Sequence, residues 1–437
     1  MAGGIDARVA GKAPAKALGH VALHDDDRKA SIAAAGSIEA LMALACDGSP
    51  GGKVATANAL CNLTYNDNGR SASVASAGGI KALVALARDG SPSGKVAAAN
   101  AMCNLTYSDD GRSALVASAG GIEALVALVR GGYCRVAGAG ALCNLARSHG
   151  GRSASIAAAG GIEALLALTR DGSPEGKAAA AKALVLMLLK DDDRKASIAA
   201  AGGIEALVAL ARDGSPNGKV ASASALRFLA HRHDARSASI AAAGGIEALV
   251  ALVRGGSPEG KAAAAVALRF LGQNHDGRRA LIAAAGGIEA LVALVRGGSL
   301  DSKAVAARSL CNLTYNNDGR SASVASAGGI EALVALVRDG LDNVAAAAAL
   351  CNLARSHGGR SASIAAAGGI EALVALVRDG SPDGRAAAAN ALGHVALHGD
   401  DSKASIAVAG GIEALQALVR YGSPDGKAAA VGALQTM

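Results

Sequence analysis

The chain has 437 residues, a formal net charge of +7 and 51% apolar residues, yet only 2% aromatics. So mild a charge does not call for a nucleic-acid partner, and the longest purely aliphatic run, 183–189, falls far short of the ~20 residues of a membrane span. Seven cysteines, an odd number with no Cys-x-x-Cys pair, form neither a disulfide framework nor a zinc knuckle. The opening residues carry no apolar core of a secretory leader, and the expected setting is reducing: cytoplasm or nucleus.

In chain order, residues 14–23 read as a helix preceded by no complete unit, so 1–24 is taken as a partial repeat. From residue 25 to 437 one pattern then returns. The isoleucine after a Gly-Gly pair, or its equivalent, stands at Ile38, Ile80, Ile122, Ile162, Ile204, Ile246, Ile288, Ile330, Ile370 and Ile412. The step is 42 residues, with two steps of 40. A fixed period of this size signals an array of one supersecondary unit, which grows by adding copies and has no single core to saturate. Ten units are expected, forming one continuous solenoid.

Each unit reads as three helices. In the second, residues 70–77 form a short helix with Ser71 as its N-cap. Gly78-Gly79 stops it, because glycine takes the left-handed conformation at little cost. A helix over 79–88 follows, with Ile80, Leu83, Leu86 and Ala87 on one apolar stripe. Residues 89–94 (Asp-Gly-Ser-Pro-Ser-Gly) are a turn, and 95–107 is the third and longest helix. The two shortened steps fall in the turn before the third helix, so the helices are expected to keep their length there.

The positive charge is periodic. Arg88, Arg130, Arg170, Arg212, Arg254, Arg296, Arg338, Arg378 and Arg420 end the second helix of successive units; Lys53, Lys95, Arg135, Lys177, Lys219, Lys261, Lys303, Arg385 and Lys427 begin the third. The arginines suit the negative end of a helix dipole. The sharper alternative is a basic rim for an acidic partner or phosphate backbone, but no aromatics interleave as single-strand binders require.

Ala-Gly-Gly-Ile-Glu-Ala-Leu-Val-Ala-Leu followed by Ala-Leu-Cys-Asn-Leu resembles the second and third helices of the armadillo repeat, and the likeness covers essentially the whole chain. It implies an all-α right-handed armadillo superhelix, an α-solenoid with three helices per ~42 residues, whose third helices line a concave groove. In peptide-binding members an asparagine at the position of Asn62 hydrogen-bonds an extended partner. A carboxamide suits that task, offering donors and an acceptor together.

Here that position reads Asn62, Asn104, Asn144, Leu186, Phe228, Phe270, Asn312, Asn352, His394 and Thr436. Four residues earlier stand Asn58, Asn100 and, further on, Asn390. The expected peptide-binding set is therefore Asn58, Asn62, Asn100, Asn104, Asn144, Asn312, Asn352 and Asn390, with Phe228 and Phe270 as an apolar shelf flanked by Arg227 and Arg269. A partner with an extended polar stretch, an apolar anchor and an acidic residue would fit. The chain also has a weaker likeness to the nuclear-import adaptor importin-α. It departs from that pattern in having no tryptophan and no carboxylate at the groove positions.

Other constellations are thin. His20 with His24 and His394 with His398 lie four apart but lack a clear third ligand. The Asn-Leu-Thr sequons at Asn62, Asn104 and Asn312 sit inside helices, and the Gly-Gly pairs lack the Lys-Ser/Thr of a phosphate loop. No nucleophile and base stand out. The expectation is a non-catalytic protein-binding scaffold or adaptor with no metal, cofactor or small-molecule substrate, the alternative being an importin-α-like transport adaptor.

Overall fold

In the computed structural model the described residues are 37–437 apart from 66, 108, 148–150, 190, 341 and 357. The expected helix at 14–23, His20, His24 and the 1–24 partial repeat lie outside them. Among the described residues there are twenty-nine helices and no strand. The fold is an all-α helical repeat. By packing, the chain divides into two compact units, Met1–Leu210 and Ala211–Met437.

Short, middle and long helices alternate with the sequence period, as in Asn68–Ser76, Gly79–Asp89 and Pro92–Thr106. Their boundaries follow from local chemistry. The short helix is capped by Asp67, whose Oδ1 accepts from the Arg70 backbone N–H at 2.6 Å. Ser71, expected as that cap, is instead buried inside the helix and donates to the Thr64 carbonyl oxygen at 3.3 Å. Aspartate one turn earlier reaches the free N–H groups first.

Gly78, at φ +84°, ends the short helix, and Gly79 starts the next. A side chain on Gly79 would strike Val74, so both glycines are required, for different reasons. Five such helix pairs are bent by 73° to 79° at the glycines. The middle helix buries Ile80, Leu83, Leu86 and Ala87, the predicted stripe, and Val84 beside them. The long helix begins earlier than expected, at Pro92. Ser91 Oγ accepts from the Gly94 N–H at 3.3 Å, and proline is well placed in a first turn because its missing N–H has no partner to lose.

At the two shortened steps the long helices are Arg135–Arg147 and Asn343–Ser356, of 13 and 14 residues against the usual 15. The expectation that the turn alone contracts is thus corrected. The deleted pair removes the Ser-Pro cap, and the helix loses the turn that cap would have nucleated.

Within each unit long helices pack on the long helices of neighbouring repeats. Alanines at the contact, such as Ala97, Ala98, Ala99 and Ala101, are at most 3% exposed, and their small side chains bring helix axes close. Among the described residues no single helix is long and apolar enough to cross a membrane.

Two sets of arginines join repeat to repeat. Nη2 of Arg88 donates to the Gly120 carbonyl oxygen at 3.0 Å, and Arg130, Arg170, Arg254, Arg296, Arg338 and Arg378 reach Gly160, Gly202, Gly286, Gly328, Gly368 and Gly410 in the same way. Each guanidinium satisfies a carbonyl at the end of the next repeat's short helix. The second set starts the short helices and was not singled out in the sequence. Arg112, 6% exposed, donates to the Leu105 carbonyl oxygen at 2.9 Å and to Asn68 Oδ1 of the previous repeat at 2.9 Å. In the second unit Arg278, Arg320 and Arg360 pair likewise with Asp234, Asp276 and Asp318.

Candidate peptide-binding face

Asn58 and Asn62, four apart on Pro50–Thr64, share one side of that helix. Asn58, Asn100 and Asn390 are exposed, while Asn62, Asn104 and Asn312 are half-buried. Asn144 and Asn352 are only 8% exposed.

Most of the asparagine ladder is committed inward. Asn104 Nδ2 donates to the Cys61 carbonyl oxygen at 3.0 Å, Asn144 Nδ2 to Cys103 at 3.1 Å, and Asn352 Nδ2 to Cys311 at 3.0 Å. Each acceptor belongs to the long helix one repeat earlier. Asn144 and Asn352 also lie 3.4 Å from Thr106 Oγ1 and Thr314 Oγ1. The placement of Asn144 and Asn352 as groups facing a peptide is therefore corrected: they are buried ties between repeats. Each of these carbonyls lies in the last turn of its helix, where carbonyls lack a partner within the helix backbone, and the carboxamide of the next rung lies within reach of it.

Asn104 differs. Both of its side-chain bonds run through Nδ2, to Cys61 O and Sγ, and neither uses its Oδ1. It lines a cleft of 490 Å³ with Thr64, Tyr65, Asp67, Cys103 and Tyr107. Tyr65 and Tyr107 are 59% and 60% exposed and stand three residues after Asn62 and Asn104, on the same face. Tyrosine was expected only as part of a shallow wall between the asparagines; the i, i+3 spacing to Asn62 and Asn104 is the signal that marks Tyr65 and Tyr107 themselves. Smaller or similar spaces recur beside the turns between middle and long helices, for example 230 Å³ between Arg296 and Glu331. Their linings simply repeat with the fold.

In the second unit the rungs at 228 and 270 carry phenylalanine. Phe228 and Phe270 are half-buried, and the His231 ring meets Phe270 edge-on at 5.0 Å. Arg227 and Arg269 lie over Phe228 and Phe270, at 4.1 and 4.6 Å from the ring centroids. His394 is also half-buried; burial lowers its pKa first, then Arg355 and His398. Among the described residues no three His, Cys, Asp or Glu side chains gather as a metal site would need.

The cysteines of the long helices are not activated. Burial pushes Cys103, Cys311 and Cys351 up to about 11 and raises Cys61 and Cys143 as well. These thiols stay protonated at neutral pH, and it is the thiolate that attacks carbon or binds metal. The threonines of the sequons, Thr64, Thr106 and Thr314, are at most 2% exposed and bond back to their own helices.

No family model and no curated protein matches the chain. Solved structures do. The chain is similar to an engineered protein whose crystal structure comes from the Northeast Structural Genomics Consortium, at 30% identity and a TM-score of 0.83, over 91% of this chain and 98% of that one. A second engineered protein from the same consortium matches at 31% identity with a TM-score of 0.51, over 54% of this chain and 96% of that one.

Proposed function

We propose that the chain is a non-catalytic scaffold of the armadillo kind, its three-helix repeats wound as a right-handed superhelix, that holds an extended partner segment along its long helices. The observation that carries this reading is the cleft between Tyr65 and Tyr107. Two exposed aromatics flank a carboxamide whose bonds both run through Nδ2, and exposed Asn58 and Asn100 continue the same face. Aromatic walls with placed polar groups suit a peptide, supplying contact area at low entropic cost. An importin-type adaptor would need acidic groove residues for lysines, whereas Arg227 and Arg269 occupy this face in the second unit.

Selecting peptides from a random display library against the full chain tests the reading. The selected peptides should bind wild type and lose about tenfold or more in affinity to Tyr65→Ala/Tyr107→Ala. Selection of no peptide, or undiminished binding by that variant, counts against it.

A further inference from the structure

Arg227 and Arg269 stand where Cys61, Cys103, Cys143, Cys311 and Cys351 stand in other repeats, so two adjacent rungs exchange a neutral thiol for a guanidinium. Both are half-buried, and neither has a carboxylate partner among the described residues. Nε of Arg269 is buried with no hydrogen-bond partner. Burial lowers the pKa of both; Arg269 lowers that of Arg227 further, and Arg308 lowers that of Arg269 against a smaller opposing pull from Asp342. Arg308, at the edge, is already bridged to Asp342.

The next rung is affected as well. Asn312 makes none of the backward bonds found at Asn104, Asn144 and Asn352. Its side chain instead lines a small cavity beside Arg269. Two like charges, a buried donor and an unbonded carboxamide thus share one short stretch, next to half-buried phenylalanines. Charged groups left so are costly unless an opposite charge arrives from outside.

We propose that the Arg227–Arg269 pair is a receptor for an acidic peptide segment, whose carboxylates bind the two guanidiniums while its apolar side chains lie on Phe228 and Phe270. Guanidinium and carboxylate match as two-pronged partners. Successive long helices lie ~10 Å apart, so carboxylates about three residues apart in an extended chain, at ~3.3 Å each, meet successive rungs. A nucleic-acid backbone fits less well, because a phosphate track needs many free cations. Many arginines of this unit are spent: Arg254, Arg296, Arg338 and Arg378 on glycine carbonyls, and Arg278, Arg320 and Arg360 on aspartates. The inference rests on the scaffold reading and names the partner chemistry of its second unit.

The test uses the full chain and a fluorescein-labelled peptide of about twelve residues, some 40 Å extended, of the pattern Phe-Glu-Ala-Ala-Glu. The acidic peptide should bind, while its glutamine counterpart and an oligodeoxythymidine of similar length should bind at least about tenfold more weakly. Arg227→Gln/Arg269→Gln should erase that preference. Arg269→Met should keep or raise the melting temperature of the free chain, since it removes a half-buried charge that forms no ion pair among the described residues and is opposed by Arg308. Equal binding of the glutamine peptide, tighter binding of the oligonucleotide, unchanged acidic binding by the double variant, or a lowered melting temperature in Arg269→Met would overturn the proposal. Acidic binding lost with Tyr65→Ala/Tyr107→Ala but kept in the arginine variant would also overturn it while leaving the scaffold reading in place. Failure of acidic and library-selected peptides alike would remove both.

Discussion

Nδ2 of Asn144 donates to the Cys103 carbonyl oxygen at 3.1 Å, across 41 residues of sequence. The same tie joins Asn352 to Cys311. An asparagine recurring at one repeat position thus has a structural task, and stability is where its removal should show. Asn144→Ala removes one of two side-chain donors to the Cys103 carbonyl oxygen, Thr106 Oγ1 at 3.1 Å being the other, and should cost about 0.5–1.5 kcal/mol. Urea or thermal unfolding of the variant measures this. A variant as stable as wild type would mean the tie contributes nothing net.

The arginine clamps lead to a different expectation. Arg254→Gln exchanges a charge-assisted bond to the Gly286 carbonyl for at best a neutral one, at an exposed site, with an expected loss of about 0.5–1 kcal/mol. The acceptor is a carbonyl and carries no net charge, so the loss should change little with salt. The same commitment predicts that nucleic acid binds weakly and with a shallow salt dependence. A steep log–log slope in a salt titration, worth several released counterions, would show a phosphate track after all.

Pairs between repeats also set the acid limit of stability. Hydrogen bonding and charge from Arg278 hold Asp234 below the usual carboxylate range, and Arg320 does the same for Asp276. A carboxylate with a depressed folded pKa contributes stability that is fully present above its unfolded value of ~3.9 and is lost as pH falls through the lower folded value. Melting temperature should therefore drop below about pH 4, and less steeply in Asp234→Asn/Asp276→Asn. Parallel curves for variant and wild type would show that these pairs do not drive the acid transition.

The Gly-Gly break makes a sharp backbone prediction. Gly120, at φ +78°, ends a short helix and lies under the Arg88 guanidinium. Gly120→Ala meets both an unfavourable backbone region and a steric conflict, and should cost about 1–3 kcal/mol. Gly78→Ala, with nothing within 4 Å of the added methyl, should cost less, about 1 kcal/mol. Chemical denaturation of the two variants side by side checks the order, and a reversed order would contradict the account of the clamp.

Much of this was legible in the sequence, because period and local chemistry determine the helices. The 42-residue step, the Gly-Gly breaks and the stripe Ile80–Leu83–Leu86 all translate directly into structure. Cap choice did not, since Asp67 and Ser71 are both good N-caps and only geometry decides between them. The orientation of the asparagines was beyond pattern reading: a polar residue on a helix face can serve a partner or the neighbouring helix, and the contacts that choose lie 41 to 43 residues away. Arg112 and its equivalents drew no attention in the sequence. Their burial depends on an acceptor in the preceding repeat, which no local window contains.

The central claim is that the exposed side of the long helices is a receptor for an extended peptide. Its most direct test is a fluorescence-anisotropy titration of one library-selected peptide against wild type, Tyr65→Ala/Tyr107→Ala and Asn144→Ala, with melting temperatures taken in the same buffer. The account predicts that the tyrosine variant loses about tenfold or more in affinity at unchanged stability, while Asn144→Ala loses stability and keeps its affinity. The opposite pattern, with the tyrosine variant binding as wild type and the Asn144 variant failing to bind while still folded, would contradict it.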